Sequence, residues 1–149
     1  LHDEHPAVNL EIMLGRHASA GLRERERVQC PAPRPGARFK GLLGTAHLNI
    51  GLVPLLDDPF NRAKSWVKFL DIAAMGGVGV FSNRAPYTEV VAHGVDGLLA
   101  DDTAESWYGC LLRLLEHPAD ARAMAMRAQQ KARQLGDPDR AVRFWRALS

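Results

Sequence analysis

The feature that most constrains the fold is an alternation of helix and strand patterns between Pro59 and Ala100. The pattern over Ser65–Ala74 predicts a helix, because apolar residues recur there at the i, i+3, i+4, i+7 spacing of an amphipathic helix: Trp66, Phe69, Leu70 and Ala73. Met75–Gly76–Gly77 predicts a glycine cap that ends this helix, and the apolar run Val78–Ser82 predicts a buried strand. A helix that leads directly into an apolar strand is typical of a parallel α/β fold.

The rest of the chain continues this alternation. Further strands are predicted at Val8–Leu14, Arg27–Cys30, His47–Leu56 and Leu98–Ala100. The continuous apolar character of His47–Leu56 predicts a strand covered on both faces. Further helices are predicted over Leu22–Arg27 (helix or turn), Ala37–Ala46 and Tyr87–Ala92. Three more are predicted after them: one that starts at Asp102 and runs to Glu116, one from Pro118 to near Leu135, and one after Asp137–Pro138. We therefore expect an α/β fold, a Rossmann-like doubly wound parallel sheet with C-terminal helices.

Two helix starts are predicted from their capping residues. Pro86 stands where a first-turn proline belongs and would open the short helix Tyr87–Ala92. Asp102 and Glu105 resemble a capping box for the helix that runs to Glu116. Each start follows a predicted strand, as a doubly wound sheet requires.

Composition excludes several classes of partner and location. The 149 residues have the length of one domain, and the net charge of +2 gives no broad footprint for nucleic acid or membrane. Cys30 and Cys110 lie far apart in a chain without a secretory pattern, so we expect reduced thiols. No apolar run approaches the roughly 20 residues of a membrane span. We expect a cytoplasmic protein, with peripheral membrane association left open.

Familiar catalytic and cofactor motifs are missing. After the first predicted strand, GRHASAG (residues 15–21) lacks the middle glycine of a dinucleotide-binding loop. Histidines and carboxylates are not spaced as three or four convergent zinc ligands, so we expect no metal. No nucleophile elbow such as GxSxG is present, and Ser65 and Ser82 have no identifiable base. The sequence therefore names no catalytic residue.

The basic segment before the first helix predicts an anion site. Arg62, Lys64 and Lys68 lie around the predicted helix start at Ser65, where the helix dipole disfavours a cation unless an anion is nearby. Free N–H groups at a helix start attract phosphate, which favours a nucleotide ligand. A solvated charge run remains the alternative. Asp71 would accept a ribose or sugar hydroxyl if it faces a crevice, and otherwise it is a surface carboxylate.

The segment NRAPYTE (Asn83–Glu89) is the second candidate for ligand contact. It follows the predicted strand Val78–Ser82 at its carboxyl end, where ligands of open α/β sheets bind. Backbone N–H groups around Pro86, Tyr87 and Thr88 would hold a phosphate there. In the alternative reading, Glu89 caps the same amides and the loop is structural.

The succession of these motifs resembles a known family. The stretch IGLVPLLDDPFNRAKSWVKFLDIAAMGGVGVFSNRAPYTEVVAHGVDGLL contains a helix–glycine break, a Pro–x–x–Glu–Val motif and a His–Gly–x–x–Gly–Leu–Leu motif. In this order they resemble the C-terminal, donor-binding half of GT-B glycosyltransferases of the group 1, or family 4-like, type. The likeness covers roughly Val8 to Arg133. Residues 1–149 would then form a partial nucleotide-sugar-binding domain, with the acceptor-binding domain and a first strand–helix unit outside this chain.

The resemblance implies a donor, a mechanism and site residues. Two domains of such enzymes close on a nucleotide-diphosphate sugar without a metal or other cofactor, and the sugar is transferred to a glycan or lipid-linked acceptor. Catalysis then depends on positioning and on stabilising the leaving diphosphate. Asp71 matches the family's ribose-binding acid, whereas Ala63 stands where the other acid of the pair belongs. Segment Asn83–Tyr87 matches the stretch beside the donor's phosphates and sugar.

Two other function classes stay open beside the glycosyltransferase. Ala63 favours a degenerate, non-catalytic GT-B module that acts as a scaffold. A nucleotide-sugar epimerase with the GT-B fold would need no acceptor. In the glycosyltransferase reading, the expected substrate-binding residues are Arg62, Lys64, Ser65, Lys68, Asp71, Asn83, Pro86, Tyr87, Thr88 and Glu89.

Overall fold

The computed structural model of the chain describes residues 4–12, 19–31 and 47–137. The chain divides into two compact units, Leu1–Leu42 and Leu43–Ser149. Two predicted helices, Ala37–Ala46 and the one after Asp137–Pro138, lie outside the described residues.

The first unit contains two short parallel strands joined through a helix. Strand β1 (Leu10–Glu11) pairs in parallel with β2 (Val28–Gln29), and helix α1 (Ala20–Arg23) lies between them in sequence. The guanidinium of Arg27 donates to the carbonyl of His5 at 3.2 Å and ties the start of β2 to the segment before β1. Both predicted strands are confirmed, each shorter than predicted.

The second unit contains a parallel sheet with helices, and its elements follow in this order: β3 (Ile50–Val53), α2 (Pro59–Arg62), α3 (Val67–Ala74), β4 (Val78–Ser82), a 3-10 helix (Tyr87–Glu89), β5 (Leu98–Ala100), α4 (Ala104–Glu116) and α5 (Pro118–Leu135). Strand β4 lies between β3 and β5 and pairs in parallel with both. The predicted α/β class, with a parallel sheet and C-terminal helices, is confirmed.

Strand β4 is buried along its whole length and has a core on each face. Successive side chains of a strand point to opposite faces. Phe81 therefore packs on one face with Phe69 of α3, at 6.1 Å between ring centroids, and with Tyr87 at 4.7 Å. Val80 packs on the other face with Leu114 of α4. Helices on both faces make the sheet doubly wound, as the sequence predicts.

A Schellman motif ends α3 and starts the turn into β4. Gly76 has a φ of +77°, and its N–H donates to the carbonyl of Ala73 at 3.1 Å. The N–H of Gly77 donates to the carbonyl of Ile72 at 3.0 Å. This left-handed conformation disfavours residues with a side chain. The predicted glycine cap is confirmed.

Strand β3 departs from the prediction of a strand covered on both faces. On one side Ile72 lies so close to Gly51 that a Cβ there would be 2.5 Å from its terminal methyl. On the other side Leu52 remains 39% exposed. The prediction is wrong at Leu52, whereas Ile50 on the same face packs against the core around Val80. An apolar run alone therefore does not reveal how completely each face is covered.

Two predicted helix starts are also corrected. The predicted helix Tyr87–Ala92 is only the 3-10 helix Tyr87–Glu89, and Pro86 precedes it after a cis peptide bond. The cap of α4 is Thr103, whose hydroxyl accepts from the N–H of Ser106 at 3.1 Å. Asp102 does not act as this cap, because its carboxylate pairs with Arg84 instead.

Helix α5 holds the turn between the 3-10 helix and β5 through a largely buried ion pair. Lys131 lies 2.7 Å from the carboxylate of Asp96, with side-chain exposures of 33% and 6%. The other carboxylate oxygen of Asp96 accepts from the N–H of Ala92 at 2.8 Å. Lys131 also donates to the carbonyl of Val90. One lysine therefore fixes both ends of the turn.

We predict that Lys131→Met destabilises the protein by about 2–3 kcal/mol. Methionine keeps the aliphatic stem but leaves the Asp96 carboxylate buried without its cation, a change that costs about 3–5 kcal/mol in fully buried pairs. The smaller figure reflects the partial exposure of Lys131. Urea unfolding measures the loss, with Arg127→Met as the control because Arg127 is exposed and donates only to the Val95 carbonyl in this region. Equal losses in both variants would contradict the role of the ion pair.

We also predict a loss of stability at alkaline pH that depends on Tyr87. Burial, and secondly the negative charge of Asp71, raise the pKa of the Tyr87 phenol above its usual 10.0. As the pH rises, the unfolded chain therefore loses the phenol proton before the folded chain does. The stability that the protonated phenol contributes below pH 10.0 is lost as the pH rises through the folded pKa. Thermal melts from pH 8 to pH 11 should show a steeper decline for the wild type than for Tyr87→Phe. Parallel declines would contradict the prediction.

Candidate functional site

The carboxyl ends of the three strands in the second unit lie level with one another. Val53 of β3 is opposite Phe81 of β4, and Ser82 is opposite Ala100 of β5. The segments that leave these strands, residues 54–58, 83–89 and 101–103, therefore meet at one side of the sheet. We call these three segments the carboxyl edge. It is the position at which open α/β sheets bind ligands.

Ser82 fastens the first of these segments to the end of β4. Its hydroxyl is buried, accepts from the N–H of Leu55 at 2.7 Å and lies 3.4 Å from the Leu55 carbonyl. A buried hydroxyl without partners would destabilise the fold, and both of these contacts satisfy it. Ser82 therefore has a structural role, which agrees with the absence of a base beside it in the sequence.

Arg84 joins all three segments of the carboxyl edge, and the sequence analysis did not select it. Its side chain is only 17% exposed. Nη1 donates to the carbonyl of Leu55 at 3.3 Å and lies 3.9 Å from Oδ1 of Asp57, while Nη2 contacts the carboxylate of Asp102. A signal was present in the sequence, because acidic pairs follow the two strands that flank β4. Only the parallel register shows that Arg84 lies between these acids.

Arg62 reaches the same edge from the end of α2. Its Nε and Nη2 lie 2.8 and 2.7 Å from Oδ1 of Asp57. This is the oxygen that Arg84 approaches at 3.9 Å. Arg62 is exposed, and its guanidinium is held at the carboxylate of Asp57.

Lys64 is not at a helix start, contrary to the sequence-based expectation. The residues just before Lys64, Pro59–Arg62, form α2, because Asp58 accepts from the N–H of Asn61 at 2.8 Å and caps this helix. The same backbone hydrogen bond lowers the pKa of Asp58. Lys64 follows the end of α2, where its Nζ donates to Oδ1 of Asn61 at 2.6 Å and lies 4.7 Å from the centre of the Phe60 ring.

The electrostatic argument for a ligand at Lys64 is therefore wrong. Helix α3 begins only at Val67, after an N-cap at Trp66 that makes no side-chain hydrogen bond. Lys64 lies two residues before that N-cap and directly after the C-cap of α2, where a helix C-terminus favours a cation, so its charge does not call for an anion. Ser65 lies exposed between the two helices.

Lys68 and Asp71 form an ion pair on α3. Nζ of Lys68 lies 2.8 Å from Oδ2 of Asp71, whose side chain is 14% exposed. The charge of Asp71 acts on the Tyr87 phenol and helps to raise its pKa. Asp71 is therefore largely covered and near the 3-10 helix, and not a fully exposed surface carboxylate.

The candidate residues of the segment Asn83–Glu89 fall into two groups. Asn83 is exposed and donates through Nδ2 to Oδ1 of Asp101 at 2.8 Å. Thr88 and Glu89 are exposed as well. Pro86 and Tyr87, in contrast, are buried, with the Tyr87 ring against Phe81 in the core. The side chains of the first group can reach a ligand, whereas the second group shapes the loop from beneath.

The amides around Pro86 are not free to hold a phosphate in this conformation. The N–H groups of Tyr87 and Thr88 both donate to the carbonyl of Arg84, at 2.9 and 3.2 Å. The N–H of Glu89 donates to the carbonyl of Pro86 at 3.3 Å. The expectation of free amides is wrong because a tight turn uses them internally, and it also leaves no need for Glu89 to cap them.

The described residues also bear on metal binding, membrane insertion and thiol chemistry. Residues 4–12, 19–31 and 47–137 contain no group of three histidine, cysteine or acidic side chains placed to hold a metal ion. None of the helices described has the length and apolar character that crossing a membrane would need. Cys30 and Cys110 are both free thiols. Burial raises the pKa of the Cys110 thiol, so less of this thiol is in the reactive thiolate form.

Comparison with known proteins gives a likeness of fold. No family model and no curated protein matches the sequence. Among solved structures, the chain is similar to HepE of Anabaena in complex with UDP, with a TM-score of 0.61 and 19% identity over 81% of this chain and 32% of HepE. The complex of HepE with UDP-glucose gives a TM-score of 0.56 and 19% identity over 74% of this chain and 28% of HepE. The complex with UDP and glucose gives 0.56 and 20% over the same shares.

These values define what the likeness shows. The chain spans about a third or less of the length of HepE. At about one identical residue in five, a shared backbone arrangement establishes the fold, whereas function depends on the residues of a site. The chain therefore shares an α/β fold with part of HepE.

Proposed function

We propose that this chain is the nucleotide-sugar-binding part, the C-terminal half, of a glycosyltransferase. The donor is a nucleotide-diphosphate sugar, and the acceptor is a glycan or a lipid-linked glycan. Residues 1–149 contribute a partial donor domain, and the complete polypeptide adds an acceptor-binding domain and a preceding strand–helix unit. This chain alone transfers no sugar.

The observation that carries the proposal is a set of cations at the carboxyl edge. Arg62 from α2 and Arg84 from the exit of β4 share the carboxylate of Asp57. Lys68 lies on α3, outside the carboxyl edge, and its partner Asp71 acts on Tyr87 of the segment 83–89. The proposal is further supported by the likeness to HepE, a protein crystallised with UDP-glucose. A diphosphate is the part of such a donor that cations recognise.

The proposed mechanism uses position and charge rather than a protein nucleophile. Cations at the carboxyl edge would stabilise the negative charge that develops on the leaving diphosphate. Lys68 would need to exchange part of its contact with Asp71 for a phosphate oxygen, and Asp71 would then accept a ribose hydroxyl. No metal ion or other cofactor is required in this proposal. The general base for the acceptor would belong to the second domain.

The exposed polar side chains of the edge complete the proposed donor site. Asn83, Thr88 and Glu89 have the donors and acceptors that a sugar's hydroxyl groups need. Lys64 and Ser65, which are exposed after the end of α2, would contribute further contacts to the donor. Pro86 and Tyr87 would act by fixing the loop, since both are buried.

A non-catalytic module is the second candidate. Ala63 stands where the family's first acid belongs, and Arg62, Lys68 and Arg84 each contact a carboxylate of the same chain. A scaffold of this fold would keep those pairs closed and would bind no donor, or would bind one without consuming it.

We predict that the complete polypeptide binds a nucleoside diphosphate more tightly than the matching monophosphate. Calorimetric titration with UDP, ADP and GDP, each against its monophosphate, measures the difference. Lys68→Ala should weaken diphosphate binding about fivefold, because one exposed charge pair contributes up to about 1 kcal/mol. Arg122→Ala is the control, since it removes one exposed positive charge from α5. Lys64→Ala tests the other lysine, and an unchanged affinity would remove it from the site.

The outcomes separate the candidates. Absence of nucleotide binding by the complete polypeptide would contradict the proposed donor site. Binding of a nucleotide sugar without hydrolysis or transfer would favour the scaffold. Loss of affinity in Arg122→Ala equal to that in Lys68→Ala would show a general charge effect instead of a site.

A further inference from the structure

The carboxylate of Asp57 stands between two arginines that come from different parts of the chain. Oδ1 of Asp57 lies 2.7 Å from Nη2 and 2.8 Å from Nε of Arg62. The same oxygen lies 3.9 Å from Nη1 of Arg84. Guanidinium groups present planar arrays of N–H donors that suit carboxylate and phosphate oxygens alike. A single oxygen approached by two guanidinium groups therefore occupies the position that an oxygen of a phosphate group would take.

Arg84 is held in place without Asp57. Its side chain is largely covered, Nη1 donates to the Leu55 carbonyl at 3.3 Å, and Nη2 contacts Asp102. Leu55 is itself fixed by the buried hydroxyl of Ser82. Removing the Asp57 carboxylate would therefore leave the Arg84 guanidinium where it is, and an anion could approach it without a change in the backbone.

Asp57 itself is easily displaced. Its side chain is 52% exposed, so a ligand from solvent can reach the carboxylate. Ion pairs between exposed side chains contribute about 0.2–1 kcal/mol, much less than a multiply charged phosphate gains from two arginines. The backbone around Asp57 is fixed on both sides, by Leu55 before it and by the capping residue Asp58 after it. Only the Asp57 side chain has to rotate.

We propose that Arg62 and Arg84 form a binding site for a phosphate-bearing anion, and that Asp57 is an internal competitor that occupies it when no ligand is bound. The ligand class is a diphosphate, free or within a nucleotide. The identification of that diphosphate as part of a sugar donor rests on the proposed function, whereas the anion site and its competitor do not. The arrangement makes binding depend on ligand charge, since a weakly charged anion does not displace the carboxylate.

The test is a calorimetric titration of the complete polypeptide with inorganic pyrophosphate at constant ionic strength. Asp57→Asn should bind pyrophosphate about two- to fivefold more tightly than the wild type, because the competing charge is gone. Glu105→Gln is the matched control: it removes one exposed negative charge beside the carboxyl edge, at a residue for which no contact with either arginine is found. The gain should disappear when Asp57→Asn is combined with Arg62→Gln, an exposed position where substitution does not threaten folding. Combination with Arg84→Gln should have the same effect.

Three results would overturn the inference. The first is that pyrophosphate binds to none of the variants, and the second is that Asp57→Asn and Glu105→Gln gain affinity equally. The third is that Asp57→Asn binds more weakly than the wild type. The last result would show that Asp57 organises the arginines instead of competing with the ligand. Titration with UDP, ADP and GDP in parallel distinguishes this proposal from the previous one. A pyrophosphate response without binding of any of the three nucleotides keeps the anion site and rejects the nucleotide-sugar donor.

Discussion

The parallel pairing of β4 with both of its neighbours is the constraint on which the site depends. Because β4 is buried on both faces, its direction and register are fixed by apolar packing. That register brings the ends of β3 and β5 level with the end of β4, so that the polar segments after them meet at one edge. The charged residues of the carboxyl edge are therefore placed by a hydrophobic core to which they contribute little.

Charge at and beside this edge is balanced within the chain. Arg62 contacts Asp57, Lys68 contacts Asp71, and Arg84 contacts Asp102. In each pair at least one side chain is about half exposed, so water weakens the pair and an anionic ligand can compete for the cation. The buried pair of Lys131 and Asp96 differs in kind, since separating it would leave a carboxylate without water or a counter-ion. The structure thus uses strong pairing to hold the turn before β5 and weak pairing where a ligand would bind.

The sequence predicted those elements whose packing produces a periodic pattern. Helix α3, the glycines after it and strand β4 follow from apolar spacing, an apolar run and Gly76–Gly77, and α5 begins at Pro118 as predicted. It did not predict α2, because a four-residue helix is too short for periodicity and depends on the cap at Asp58. Because α2 ends at Arg62 and α3 begins at Val67 instead of Ser65, Lys64 lies between the two helices. Arg84 was missed for a related reason, since its partners lie 27 and 18 positions away and are brought to it only by the sheet.

The distinction between fixed backbone and exchangeable side chains would let this edge bind the proposed ligand without rearranging. Ser82 fixes the segment after β3, the turn hydrogen bonds to the Arg84 carbonyl fix the segment after β4, and the Ser106 hydroxyl fixes the segment after β5 by accepting from the N–H of Asp101. The cost of ordering these loops is therefore met in folding and not in binding. What remains adjustable is the choice of partner for each cation. A ligand would be selected by whether its charge exceeds that of the aspartate it replaces. Affinity for a diphosphate would then depend on competition between the ligand and the aspartate for the cations of an already ordered edge.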